Sequence, residues 1–321
     1  MHSLWNLDPA TYQPHALHKP DRSFPESNCY VDVWIELLHA QGLDPMPMLA
    51  FCVGTDFEGD QWTFFKPPAA DLEALYGLHA EEMTVYRPMP DHLVEQIALG
   101  RTVIVEVDAF YLPDVAGRSY RSNHEKTSVA VESIDPENRR LRYFHNAGYF
   151  ELTREDYDDV MRVGRAFDPE VLEPYTEFVR AGGLQRLPDA ELRARAAQLL
   201  TRHAQRMATE NPVTRFGDRL ALDMPGLAGN LPAYHLYAFA TLRQCGAAWS
   251  LAAEFLRWLD AEYEPAAEAF DRLAAQSRAL LLKLARVAHT SRAFDPSEAI
   301  ASMAADWEAA RALLAGAAGE Q

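Results

Sequence analysis

The feature that most limits what this chain can fold into is a change of hydrophobic period partway along it. Between residues 102 and 152 apolar residues fall in strand-like runs at 102–113, 127–134 and 141–146, with Asp135-Pro136-Glu137-Asn138 as a turn and 148–152 leading to a further edge. From Asp156 onward strand signals vanish, and Ala-, Leu- and Arg-rich segments of helical period take over. Helices are predicted at 156–164, 168–181, 189–210, 232–261, 264–290 and 296–316, broken at Gly182-Gly183, Pro212, Pro225 to Pro232, and Asp295-Pro296. Upstream lie a helix over 27–38, a short one capped by Asp71, and one over 91–99 stopped by Gly100. Helix, β-meander, then helices is the α+β order. The boundary falls near 165, giving an α+β domain over 1–165 and a helical domain or cover over 166–321.

At 321 residues, 48% hydrophobic and 11% aromatic, the chain is long and apolar enough for a sizeable core. No apolar run reaches the ~18–20 residues of a membrane span. The first residues lack a basic stretch followed by an apolar one, so a cytoplasmic protein is expected. Net charge of −17 argues against nucleic acid as a partner, because phosphate contacts need clustered cations. Arginines nevertheless outnumber acids between Arg180 and Arg219, and Arg195, Arg202 and Arg206 share one face of the predicted helix. That face is either solvated or a docking patch for an acidic partner or a phosphate group. Cys29, Cys52 and Cys245 have neither a disulfide nor a metal spacing. His15 and His18 lie in an extended arm over residues 1–26 with no third ligand nearby, and Asp56, Glu58 and Asp60 lack a calcium-loop pattern. No metal and no bound cofactor are expected.

The stretch 27–38 carries the chemistry. Tyr30, Val33, Trp34, Leu37 and Leu38 form one apolar stripe, Ser27 or Asn28 can cap the helix, and Cys29 sits in its first turn. Helix N-termini lower thiol pKa values and offer N–H groups to an oxyanion. A buried structural cysteine is the competing reading. A thiolate nucleophile needs a base and a group to orient it. His124 heads a strand, and Asn146 on the next strand is the orienting candidate, with Asp108 and His145 as alternatives. Asn28 and Gln61 are oxyanion candidates. Tyr111 and Trp62 could line an acyl pocket, although such aromatics are more often core.

The segments Asn28-Cys29-Tyr30, Glu106 through Pro113, His124, and Tyr143 through Tyr149 resemble an uncharacterised bacterial domain-of-unknown-function family along nearly the whole chain. Residues 27–152 are more distantly similar to the N-terminal domain of the butirosin-biosynthesis acyltransferases and to the C39-type cysteine peptidases. That resemblance implies a papain-like core, with Cys29 as nucleophile and His124 as base. It also implies transfer of an aminoacyl group from a carrier-protein thioester, on its phosphopantetheine arm, to an amine. The relatives carry an Asp-Pro-like element where this chain reads His145-Asn146-Ala147, so the third member stays open. A peptidase or amidase with the same residues, and a non-catalytic carrier-protein or peptide-binding module, are the other readings.

Overall fold

The computed structural model describes residues 2–164 and 172–319. A short strand β1 (His2–Ser3) precedes helix α1 (Cys29–Ala40), and a 3₁₀ stretch (Met46–Gly54) leads to the small hairpin β2 (Phe57–Glu58) and β3 (Gln61–Trp62). Next come α2 (Ala69–Tyr76), β4 (His79–Glu82), α3 (Met89–Ala98), β5 (Thr102–Asp108), β6 (Lys126–Asp135), β7 (Arg140–His145), β8 (Gly148–Thr153) and α4 (Arg154–Val160). After β9 (Thr176–Arg180) the chain is helical: α5 (Asp189–Gln205), α6 (Pro212–Leu227), α7 (Leu231–Ala240), α8 (Leu242–Leu259), α9 (Glu264–Thr290) and α10 (Ser297–Gly319). The α+β expectation stands.

Three expectations about the second half need correction. The helix expected over 168–181 does not form: residues 165–171 lie outside those described, and 176–180 form β9, which pairs antiparallel with both β4 and β5. Its Thr-Glu-Phe-Val-Arg pattern is too short to declare a period, and only pairing partners fix it as a strand. Pro212, taken as a break, is instead the first residue of α6, capped by the Asn211 side chain on the Val213 and Thr214 amides. Proline suits that position because the amide it lacks has no intrahelical partner. The predicted 232–261 helix divides into α7 and α8 at Thr241.

The chain forms two compact units that interleave in sequence rather than meeting at one point near 165. One comprises Met1–Pro20, Asn28–Asp44 and Leu72–Arg186; the other comprises Asp21–Ser27, Pro45–Asp71 and Leu187–Gln321. In the first, an antiparallel sheet runs β4-β9-β5-β6-β7-β8, with β1 pairing the far end of β6. In the second, α8 is buried along most of its length and packs on α9 and on the 3₁₀ stretch. Segment 21–27 belongs there because Phe24 rests on Gly246 of α8, where an added Cβ would lie 2.6 Å from the ring. Trp62 is buried with Phe57, Phe216 and Trp249, so it is core and not the pocket lining expected.

Helix α1 is less one-sided than its stripe suggests, since every residue from Tyr30 to Leu38 is buried. Burying Asp32 and Glu36 requires partners. The N-terminal arm supplies them: Tyr12 donates to Glu36, and His18 Nδ1 lies 2.5 Å from Glu36 Oε1. The other nitrogen of His18 faces Asp32 at 3.4 Å, an ion-pair contact without hydrogen-bond geometry. The paired histidine therefore serves α1, not a metal.

Burial opposes charging His18, but Asp32 and Glu36 outweigh it and raise its pKa from 6.5 to about 9. A folded-state value above the unfolded one contributes stability that is complete below about pH 6.5 and is lost as pH rises through about 9. Unfolding free energy from urea melts should therefore decline over that interval, and His18→Gln should flatten the decline. An equal slope in the variant would remove this network from the account.

Candidate functional site

The pleat of the sheet decides which side chains can meet. Glu177 on β9 is in register with Ile104 on β5, Ile104 with Ala130 on β6, and Ala130 with Phe144 on β7. These residues mark the face that α1 covers: Tyr30 donates to Glu177, and Tyr12, bonded to Glu36, packs on Phe144. Two-residue alternation gives Glu106, Asp108, Lys126 and Ser128 the same side. Val103, Val105, Val129, Val131 and Tyr143 take the opposite side, in a core closed by α3 and α4 residues such as Leu93 and Tyr157.

Cys29 occupies the first position of α1. Asn28 Oδ1 accepts from the Tyr30 and Val31 amides at 3.1 and 2.9 Å, so the expected oxyanion candidate is the helix cap. Cys29 is partly exposed, whereas Cys52 and Cys245 are fully buried. Burial pushes both buried thiols upward, Cys245 to about 12, leaving them inert as thiolates.

His124 and Asp108 come together. His124 Nδ1 lies 2.5 Å from Asp108 Oδ2, while Asp108 Oδ1 accepts from the Phe110 and Glu125 amides. Burial pulls the Asp108 carboxyl upward, but the hydrogen bond with His124 and those two amides outweigh it, and its pKa is lowered. The imidazole stacks on Phe110 at 4.3 Å, and Arg121 lies over Phe110 and Tyr111. With Nδ1 held by the carboxylate, Nε2 is the nitrogen turned to solvent; the side chain is 66% exposed. Orientation by a carboxylate is what a general base requires.

Asn146, the first choice for orienting His124, does not do so. It stands at φ 45° in the two-residue turn joining β7 to β8, a left-handed conformation that asparagine tolerates. His145, the other alternative for orienting His124, does not do so either, because its register puts it on the face away from α1, opposite to Asp108. There its Nδ1 lies 2.6 Å from Asp114 Oδ2 and its Nε2 2.8 Å from Thr127 Oγ1; Tyr143 donates to Asp114 Oδ1 at 2.5 Å. The group is buried and every ring nitrogen is used, so it ties the loop after β5 to the sheet. Among the described residues the Cys29 thiol makes no hydrogen bond with His124, Asp108, His145 or Asn146. Sequence reasoning missed Asp114, Thr127 and Tyr143, although strand alternation would have grouped Thr127, Tyr143 and His145 once the hairpin register was known.

Tyr111 lines a cleft of about 150 Å³ with Glu106, Asp108, Met89, Met161 and Pro174. That is below the ~300 Å³ of common ligand pockets, and Met89 and Met161 in its lining belong to the core on the side of the sheet away from α1. Gln61 lies on β3 in the other compact unit. Arg195 pairs with Glu191 and Arg202 with Asp71, while Arg206 is the C-cap of α5, so the expected docking face has much of its charge matched internally. Asp71 also bonds His203 at 2.6 Å. Among the described residues no cluster of His, Cys, Asp and Glu could hold a metal, and no helix is long and apolar enough to cross a membrane.

Residues 13–181 match the DUF1839 N-terminal domain and residues 189–316 the DUF1839 C-terminal domain. No curated protein matches the chain.

Two measurements follow from this geometry. Iodoacetamide on native protein should label one thiol, Cys29, against three in denaturant; rapid labelling of Cys52 or Cys245 would contradict the burial. Asp114→Ala leaves His145 and Tyr143 without their buried carboxylate and should cost about 3 kcal/mol in urea unfolding. A loss near zero would mean the tether contributes nothing.

Proposed function

The chain belongs to the DUF1839 family, and we propose that it is a cysteine-dependent acyltransferase with a papain-like core. In this reading Cys29 is the nucleophile, His124 the base and Asp108 the group that orients it. The observation that carries the reading is the bond between His124 and Asp108, on the α1 side of the sheet and ahead of β6. It fixes one imidazole nitrogen and frees the other, and the partly exposed thiol begins the helix covering that face.

The reaction runs in two halves. His124 Nε2 takes the Cys29 proton, and the thiolate attacks the carbonyl of a thioester on a carrier protein's phosphopantetheine arm. The new S–C bond forms as the old C–S bond breaks, and the departing thiolate takes the proton from His124. An amine then attacks the acyl-enzyme, His124 receives the amine proton, and Cys29 leaves with its electron pair before being reprotonated. The lowered pKa of Asp108 keeps it an anion, as stabilising an imidazolium requires. The Cys29 amide is the oxyanion donor in this scheme. The 66% exposure of the His124 side chain favours a second reading, in which water replaces the amine and the enzyme is an amidase or peptidase. A reduced, cytoplasmic setting fits a catalytic thiol.

Intact-mass spectrometry after mixing with an aminoacyl carrier protein should show an acyl adduct on Cys29 that Cys29→Ser abolishes. His124→Gln should slow its formation by about 10²–10⁴-fold, the range for general acid–base catalysis, and Asn146→Ala should leave it unchanged. Added amine should discharge the adduct to amide; discharge to free acid alone would select the hydrolase. Carrier-protein binding without any adduct, unaltered by Cys29→Ser, would leave only a binding module.

A further inference from the structure

A basic cleft lies in the second compact unit, far along the sequence from Cys29. Helix α9 ends when Ser291 adopts a left-handed φ of 55° and donates its amide to Val287. The chain then returns beside α9, with Phe294 against Lys283, and Leu282, Lys283, Arg286, Val287, Arg292, Ala293 and Phe294 line a half-open cleft of about 510 Å³. That volume falls within the ~300–1,000 Å³ of small-molecule sites.

Charge sets this cleft apart. In a chain of net charge −17, several arginines of the helical half are matched by acids: Arg219 by Asp223, Arg257 by Glu264 and Asp271, and Arg272 by Asp306; Arg206, Arg243 and Arg278 form no ion pair among the described residues, but none of them lines this cleft. Among the described residues, Lys283, Arg286 and Arg292 form no ion pair with a carboxylate. The nearest acid in sequence, Asp295, is committed to the Ser297 amide and hydroxyl. A helix C-terminus attracts cations, but that effect fades beyond the last turn. It accounts for His289 in the last turn, not for Lys283 and Arg286 before it or Arg292 past the end. Three like charges lining one concavity repel each other, and an anion would relieve that cost.

We propose that this cleft binds a phosphorylated small molecule. The phosphate is held by Arg286, Arg292 and Lys283, and the carbon body lies against Phe294 and Leu282. A phosphate monoester carries close to two negative charges at neutral pH, which matches three cations better than a single carboxylate does. The ring of Phe294, 5.5 Å from Lys283 Nζ, and the 68% exposed side chain of Leu282 supply the apolar wall. The site is independent of the Cys29 chemistry.

Isothermal titration of the full chain with 1-naphthyl phosphate, inorganic phosphate and 1-naphthol tests it. Naphthyl phosphate should bind one per chain, more tightly than either of the other two. The double variant Arg286→Gln/Arg292→Gln, both exposed positions, should weaken it at least tenfold. Phe294→Ala should weaken naphthyl phosphate but not inorganic phosphate, and Cys29→Ser should bind as the parent does. Absence of saturable binding, equal affinity in the double variant, or tighter binding of a polyglutamate peptide would each overturn the proposal, the last by making the cleft a surface for an acidic protein.

Discussion

The strict two-residue alternation of β5, β6 and β7 is the constraint from which the rest of the first unit follows. A sheet buried on both sides gives each neighbouring pair of residues opposite surroundings, so a shift of one position would exchange the two cores. The pairing of Ile104 with Ala130 and of Ala130 with Phe144 places a row of residues under α1. The same register turns Tyr143 and His145 toward α3 and α4. Asp108 and His145 both sit at strand ends, on strands flanking β6, and only this alternation separates them by face. One joins a solvent-facing imidazole; the other is locked in a buried network.

The face beneath α1 is more polar than a helix–sheet interface usually is. Besides Asp32, three buried carboxylates lie on or under the helix: Glu36, Glu132 and Glu177. Each accepts from a tyrosine, from Tyr12, Tyr149 and Tyr30 respectively. Burial and the adjacent carboxylate both raise these phenols far above their ordinary range, so each remains a neutral donor to an anion. Such pairs are costly to break, because the partner left behind is an unmatched buried polar group. The pairs on Glu36 and Tyr30 hold α1 to the arm and to the sheet, and with it the position of its first residue, Cys29.

Much of this was legible in the sequence, for identifiable reasons. The α1 boundaries follow from Asn28 and Gly42, the meander from alternating runs and a turn at Asp135, and the helical half from its period. The lone accessible thiol and His124 were legible as residue types in a suggestive order. Where reading failed, local pattern was silent or pointed the wrong way. β9 is too short to announce itself, Pro212 opens a helix instead of closing one, and Trp62 in an aromatic run carries no sign of whether it faces core or ligand. Asn146 stood next to the right strand end, yet its own backbone geometry assigns it to the turn.

What the sequence alone determined is everything encoded within a few residues: caps, periods and turns. Those depend on backbone preference and nearest neighbours. The tertiary structure decided which distant groups share a face. Asp108 rather than Asn146 holds His124, His145 belongs with Asp114 and Thr127, and the arm bearing His18 covers the acids of α1. Each of those outcomes rests on strand register and loop return, properties of pairing between segments that no single stretch of sequence contains.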